Sequence, residues 1–248
     1  MSEIPQATPR ARRIPVALKV ALTAFVIVQV FFYWSTYGPT NFLYFCDVAL
    51  YLTLVSVLTE KRLPASMAAV GILIPQFLWV IDFACGLFGY CPIGMTEYMF
   101  HDPLPATAIS LFHGWLPFLL IYVVYRLGYD RRALLAWTVT AWVLMLIAYF
   151  LLPAPPAPEG STAPVNVNFV YGMSDKQPQQ WMAPLAWLAV MMIGLPVLFF
   201  VPTHLLLERW RGLTGRWVRE PRPILAVVPI EVAERPETLA PRKENQSL

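Results

Sequence analysis

Apolar residues run along this chain in long unbroken blocks. They do not alternate as in a half-buried strand, nor recur at the three- and four-residue spacing of a surface helix. Six blocks approach or reach the length of about 20 residues that crosses a bilayer as a helix: 14–34, 42–58, 63–84, 104–125, 133–152 and 183–201. The second is the shortest. Membrane β-strands would instead read as about 10 residues of alternating polarity. The pattern predicts an all-α membrane protein, a bundle of six transmembrane helices. The first block carries Lys19 and has no small-residue cleavage site after it, so it is expected to stay as a span rather than leave as a signal peptide.

Polar punctuation divides the rest. Residues 1–13 read as a disordered N-terminus, 14–201 as the six-span domain and 220–248 as a disordered tail. Pro202 is expected to end the last span. Beyond it, 202–219 places Leu205, Leu206, Trp210, Leu213 and Trp217 roughly on one face with Arg209, Arg211 and Arg216 at its borders. That is the pattern of an amphipathic helix lying on the inner leaflet. The loop 35–41 is a tight turn on Gly38-Pro39, and 153–182 opens with the stiff spacer "PAPPAP". That last loop is long for a passive connection and is a candidate binding or lid segment.

Composition agrees with the blocks. Hydrophobic residues make up 58% and charged residues 13%, against about 25% charged in soluble domains. Charge then sets orientation. Of the 18 Lys and Arg, 17 flank the first span, fill the 59–62 and 126–132 loops or follow the last span, leaving Lys176 alone opposite. By the positive-inside rule both termini are expected to face the cytoplasm. This distribution also accounts for the net charge of +3, and no interleaved aromatics suggest nucleic acid. Membrane lipid is the expected partner, and the sequence names no protein partner.

The chemistry-bearing residues share one leaflet. His113 lies about nine residues, roughly 13–14 Å, below the outer end of the fourth span, and Asp47 about five residues, roughly 8 Å, below that of the second. Asp82 and Gln76 belong to the outer half of the third. Thr107, Ser110, His113, Gly114 and Pro117 form one polar and small-residue stripe, and Asn41, Tyr44, Asp47 and Tyr51 another. Such stripes face the bundle interior. Pro117 lacks an N–H, so the carbonyl of His113 loses its helical donor. His113, Asp47 and Asp82 are the candidate catalytic or ligand-holding residues. Asn41, Gln76, Ser110, His101, Asp102, Asn166 and Asn168 are candidate pocket lining. The alternative is a polar knot satisfied by neighbouring helices. His204 sits apart, and the inner half looks nearly bare. Cys85 and Cys91 share an outward loop and would form a disulfide in an oxidising compartment, or remain free thiols. A divalent metal held by Asp47, His113 and Asp82 is a possible cofactor that no motif supports.

The segments "YGPTNFLYFCDVALYLT", "SMAAVGILIPQFLWVIDF", "YMFHDPLP", "SLFHGWLPFLL", "RLGYDRRAL" and "NVNFVYG" resemble an uncharacterised family of small bacterial polytopic membrane proteins. The likeness spans about residues 33–206 and brings no activity with it. Ser110-x-x-His113 is loosely similar to one element of the alkaline-ceramidase and progestin-receptor-like metal hydrolases. Those have seven spans and a late His pair, of which only His204 is present. Three functions stay open: a lipid-directed enzyme or lipid- or small-molecule-binding protein with an outward pocket, a small carrier using Asp47 and His113 as a proton or cation relay, or a scaffold without chemistry. Confinement of the polar residues to one leaflet favours the outward pocket.

Overall fold

The computed structural model describes residues 14–214, with side chains through Arg211. The expectations for 1–13, for the end of the amphipathic helix and for the tail lie outside those residues. Every regular element among them is helical. The helices are α1 (Val16–Thr36), α2 (Phe45–Thr59), α3 (Arg62–Gly86), α4 (Leu104–Ser110), α5 (Phe112–Leu127), α6 (Ala133–Leu151), α7 (Pro184–Leu195) and α8 (Val201–Thr214). Five stretches are long and apolar enough to cross a membrane: α1, α3, Leu104–Leu127, α6 and Pro184–Arg211. The block expected at 42–58 yields the 15-residue α2, preceded by the 3-10 turn Pro39–Leu43. Fifteen residues rise only about 22 Å, short of the roughly 30 Å hydrocarbon core.

Two stretches depart from straight helices. Leu104–Leu127 is interrupted at Leu111, between α4 and α5. Pro202 does not end the last helix as expected. A π-helical turn, Pro196–Phe200, joins α7 to α8, and the helix continues through Pro202. A proline ring collides with the carbonyl four residues before it, and the wider π-turn directly ahead of Pro202 gives that ring room.

The bundle is organised around α3, which packs against α2, α5, α6 and α8. Its buried surface is rich in small residues, among them Ala65, Ser66, Ala68, Ala69 and Gly71. Small side chains let helix backbones approach closely where no hydrophobic effect pulls them together. Gly71 is the tightest point, since a Cβ there would stand 1.9 Å from the indole of Trp137 on α6. Trp137 is fully buried and meets Phe45 and Phe200 edge-on.

Replacing Gly71 with Val should therefore expel the Trp137 ring and destabilise the protein by about 1–3 kcal/mol, the usual cost of overpacking. Adding Trp137→Ala should recover part of that loss. Thermal unfolding of both variants in detergent measures it, and equal losses would mean that the two side chains do not compete for one space.

Candidate functional site

Asp47 occupies the first turn of α2 and is only 2% exposed. Gln29, from the middle of α1, donates its amide to Asp47 Oδ1 at 2.5 Å, and Tyr51, one turn below Asp47, donates its hydroxyl to Gln29 Oε1 at 3.0 Å. The amide thus works as a relay between phenol and carboxyl. Gln29 is fully buried and was missed in the sequence, although a lone amide inside the first span was the available signal. The second stripe, Asn41, Tyr44, Asp47 and Tyr51, is buried or half-buried along its length. Among the described residues no Lys, Arg or His pairs with Asp47. Gln29 is its one hydrogen-bond donor among the described residues.

His113 is not the partner of Asp47. At the break between α4 and α5 the amide of Gly114 turns back to the carbonyl of Leu111 at 2.9 Å. That leaves the carbonyl of Ser110 without its usual donor four residues on. The imidazole fills the gap, Nδ1 donating to Ser110 O at 2.8 Å. The ring also stacks on Trp79 (5.3 Å between centroids), which stacks on Phe83 (5.2 Å), which in turn stacks on Phe100 (5.6 Å). The histidine replaces a lost backbone donor and locks α5 to α3.

The other expected pocket residues are mostly staples. Asp82 is fully buried at the end of α3 and gathers the following loop. Its carboxylate accepts from the amides of Ile93 (2.6 Å), Gly94 (3.3 Å) and Thr96 (2.9 Å) and from the Thr96 hydroxyl (2.8 Å). Asn168 caps α2 from 123 residues away, accepting from Phe45 N at 3.0 Å and donating to Leu43 O at 2.9 Å. Asn166 closes the 166–175 loop on itself through Tyr171 N, Gly172 O, Ser174 O and the Asp175 carboxyl. Burial raises the pKa of Asp175, and the Asn166 amide partly offsets this. Tyr171 stacks on Tyr149 and donates to its carbonyl at the end of α6. Asn41 is buried in the turn before α2, and Gln76 is buried with its Oε1 unpaired among the described residues. His101 and Asp102 are exposed and apart from this cluster. Cys85 and Cys91 are free thiols rather than a disulfide, and the Thr96 hydroxyl donates to Cys91 Sγ at 3.5 Å. Among the described residues no three His, Cys, Asp or Glu side chains come close enough to hold a metal ion.

The opposite end, which carries the 59–62 and 126–132 loops, is more polar than the sequence reading allowed. Asp130 accepts from Arg132 Nη2 at 2.8 Å, lies 3.5 Å from Arg62 Nε and donates its backbone N–H to Ser66 Oγ at 3.0 Å. Tyr129 and His204 Nδ1 share a 2.6 Å hydrogen bond, and Glu208 of α8 joins Arg131 and Arg211. Arg62–Asp130, Arg131–Glu208 and Tyr129–His204 join different elements, so linear spacing did not reveal the cluster.

The hydrogen bonds and charge of Arg132 are the main reason that the Asp130 pKa lies below its ordinary value, with Arg62 adding to them. A depressed carboxylate contributes stability above its unfolded pKa of about 4 and loses it as pH falls through the folded value. Asp130→Asn should accordingly be less stable than wild type at neutral pH, and the gap should close below about pH 4. Thermal unfolding across pH 7 to 3 reads this; a gap independent of pH would mean that Asp130 acts as a neutral cap.

No protein-family profile, no curated protein and no solved structure matches this chain.

Proposed function

We propose that the chain crosses a bacterial inner membrane six times, with both termini and the basic loops in the cytoplasm. The basic asymmetry supports the orientation. The α2 segment is read as the sixth crossing because the turn Pro39–Leu43 continues it toward the outer surface, and the two together run from 39 to 59. Reporter fusions at Glu60 and Ser174 are then expected on opposite sides of the membrane. The same side for both would remove the α2 crossing or the orientation.

Within that frame the protein is a binding protein for a membrane-borne small molecule or lipid, taken up in the outer-leaflet half at Asp47. One observation carries this: a carboxyl 2% exposed whose direct partner is a neutral amide. A scaffold has no use for such a group, since an apolar residue there would pack without the cost of burying a charge. The acid–base enzyme reading loses its main support once the His113 imidazole is spent on the Ser110 carbonyl at the α4–α5 break. A second reading is favoured by the Tyr129–His204 pair and the buried Asp130 at the basic end. Polar groups at both ends suit a proton or cation relay.

Protein purified in mild detergent should carry a stoichiometric small molecule or lipid by native mass spectrometry. Asp47→Asn should lose it about tenfold or more, a change of roughly 1.4 kcal/mol, while remaining monodisperse. Undiminished retention by that variant would sink the binding reading. Proton flux into liposomes that disappears with Asp47 would move the assignment to the relay.

A further inference from the structure

Arginine is in excess over acid at the end that carries Asp130. Arg62 and Arg132 share Asp130, and Arg131 and Arg211 share Glu208. Arg132 is taken up by a two-point fork, its Nε and Nη2 donating to the two carboxylate oxygens of Asp130 at 3.1 and 2.8 Å. Arg131 is less committed. It donates Nε to Glu208 Oε2 at 2.5 Å, and among the described residues its two terminal nitrogens have no partner, on a side chain 63% exposed. Arg209 is exposed and meets no carboxylate among the described residues. The fold sets these two arginines beside one apolar face. The Tyr129–His204 bond at 2.6 Å and the Tyr125–Trp210 stack at 5.9 Å fasten α8 to the 128–132 loop and to α5. Residues three and four apart share a helix face, so Leu205 lies one turn before both Arg209 and Glu208, which holds Arg131. Leu205 and Leu206 are 60% and 63% exposed. Two guanidinium groups therefore stand about 5 Å beyond exposed apolar side chains, the order in which a lipid presents phosphate and hydrocarbon.

We propose that Arg131 and Arg209 hold the phosphate of an anionic phospholipid, with its chains along Leu205 and Leu206. Guanidinium nitrogens meet phosphate oxygens two at a time. A zwitterionic headgroup finds no match for its ammonium here. Asp130 and Glu208 are each shared by two arginines, and the remaining Glu208 oxygen, Oε1, is buried. Free phosphate would engage the arginines and leave the leucines uncovered. This site is separate from Asp47 and does not depend on the reading of that residue.

The test titrates the full chain, in a neutral maltoside detergent, with phosphatidylglycerol or with phosphatidylcholine of the same acyl chains. Native mass spectrometry counts the lipid bound. Wild type should bind phosphatidylglycerol about tenfold more tightly than phosphatidylcholine. One Lys or Arg at an anionic surface is worth a factor of about five. Arg209→Gln should therefore weaken phosphatidylglycerol binding about fivefold, and the double variant Arg131→Gln, Arg209→Gln should lose the preference. Lys61→Gln removes the same charge from the same end, at an exposed residue without an ion pair among the described residues, and should bind like wild type. Arg131→Gln breaks a bond to Glu208; should the double variant fail to fold, the comparison of Arg209→Gln with Lys61→Gln decides alone. Equal weakening in those two would overturn the proposal in favour of a diffuse basic surface. Equal binding of the two lipids would overturn it as well. So would displacement of phosphatidylglycerol by glycerol phosphate at matching concentration, which would make the ligand a free phosphate.

Discussion

A backbone polar group freed inside an apolar bundle has no water to turn to, and each one left unpaired costs several kcal/mol. Much of this structure follows from that constraint. At several helix breaks and ends a side chain supplies a missing bond. His113 donates to the Ser110 carbonyl at the α4–α5 break. Asn168 serves both backbone groups at the start of α2, and Tyr171 the end of α6. Asp82 gathers the amides of the loop that follows α3, and Ser56 takes the Lys61 carbonyl between α2 and α3.

Those bonds also make the loop-rich end a built structure. The long 153–182 loop buries Val165, Val167 and Val170 and anchors to α2, α6 and α7 through Asn168, Tyr171 and the Trp187–Phe169 bond. Its position over α2 keeps the first turn of that helix, and with it Asp47, in a fixed relation to Gln29 on α1. The close packing at Gly71 and Trp137 plays a similar part deeper in the bundle, holding α3 and α6 together.

Against this background Asp47 stands out by contrast. Asp82 is just as buried but meets four donors, and Asp130 meets two guanidinium groups. Asp47 meets one amide, itself held by the Tyr51 hydroxyl. Polarity shared by all three therefore has different consequences. Two acids gather several donors each, and the third takes a single neutral one.

Sequence alone determined that the chain is helical and membrane-spanning, where most spans lie, and which of its ends is basic. Those properties depend on composition over about 20 residues, and no tertiary contact can hide them. It also marked Asp47 as interior, because a charged residue in a polar stripe cannot face lipid. Periodicity gives the face of a helix and not the neighbour opposite it. Thus Gln29 as the partner of Asp47, Ser110 O as the partner of His113 and the capping role of Asn168 appeared only in three dimensions. The same limit concealed the acid–base cluster at the basic end, whose members come from α3, the 128–132 loop and α8. Pro202 misled for a related reason: proline removes one hydrogen bond locally, but the surrounding helix decided whether a π-turn could absorb it.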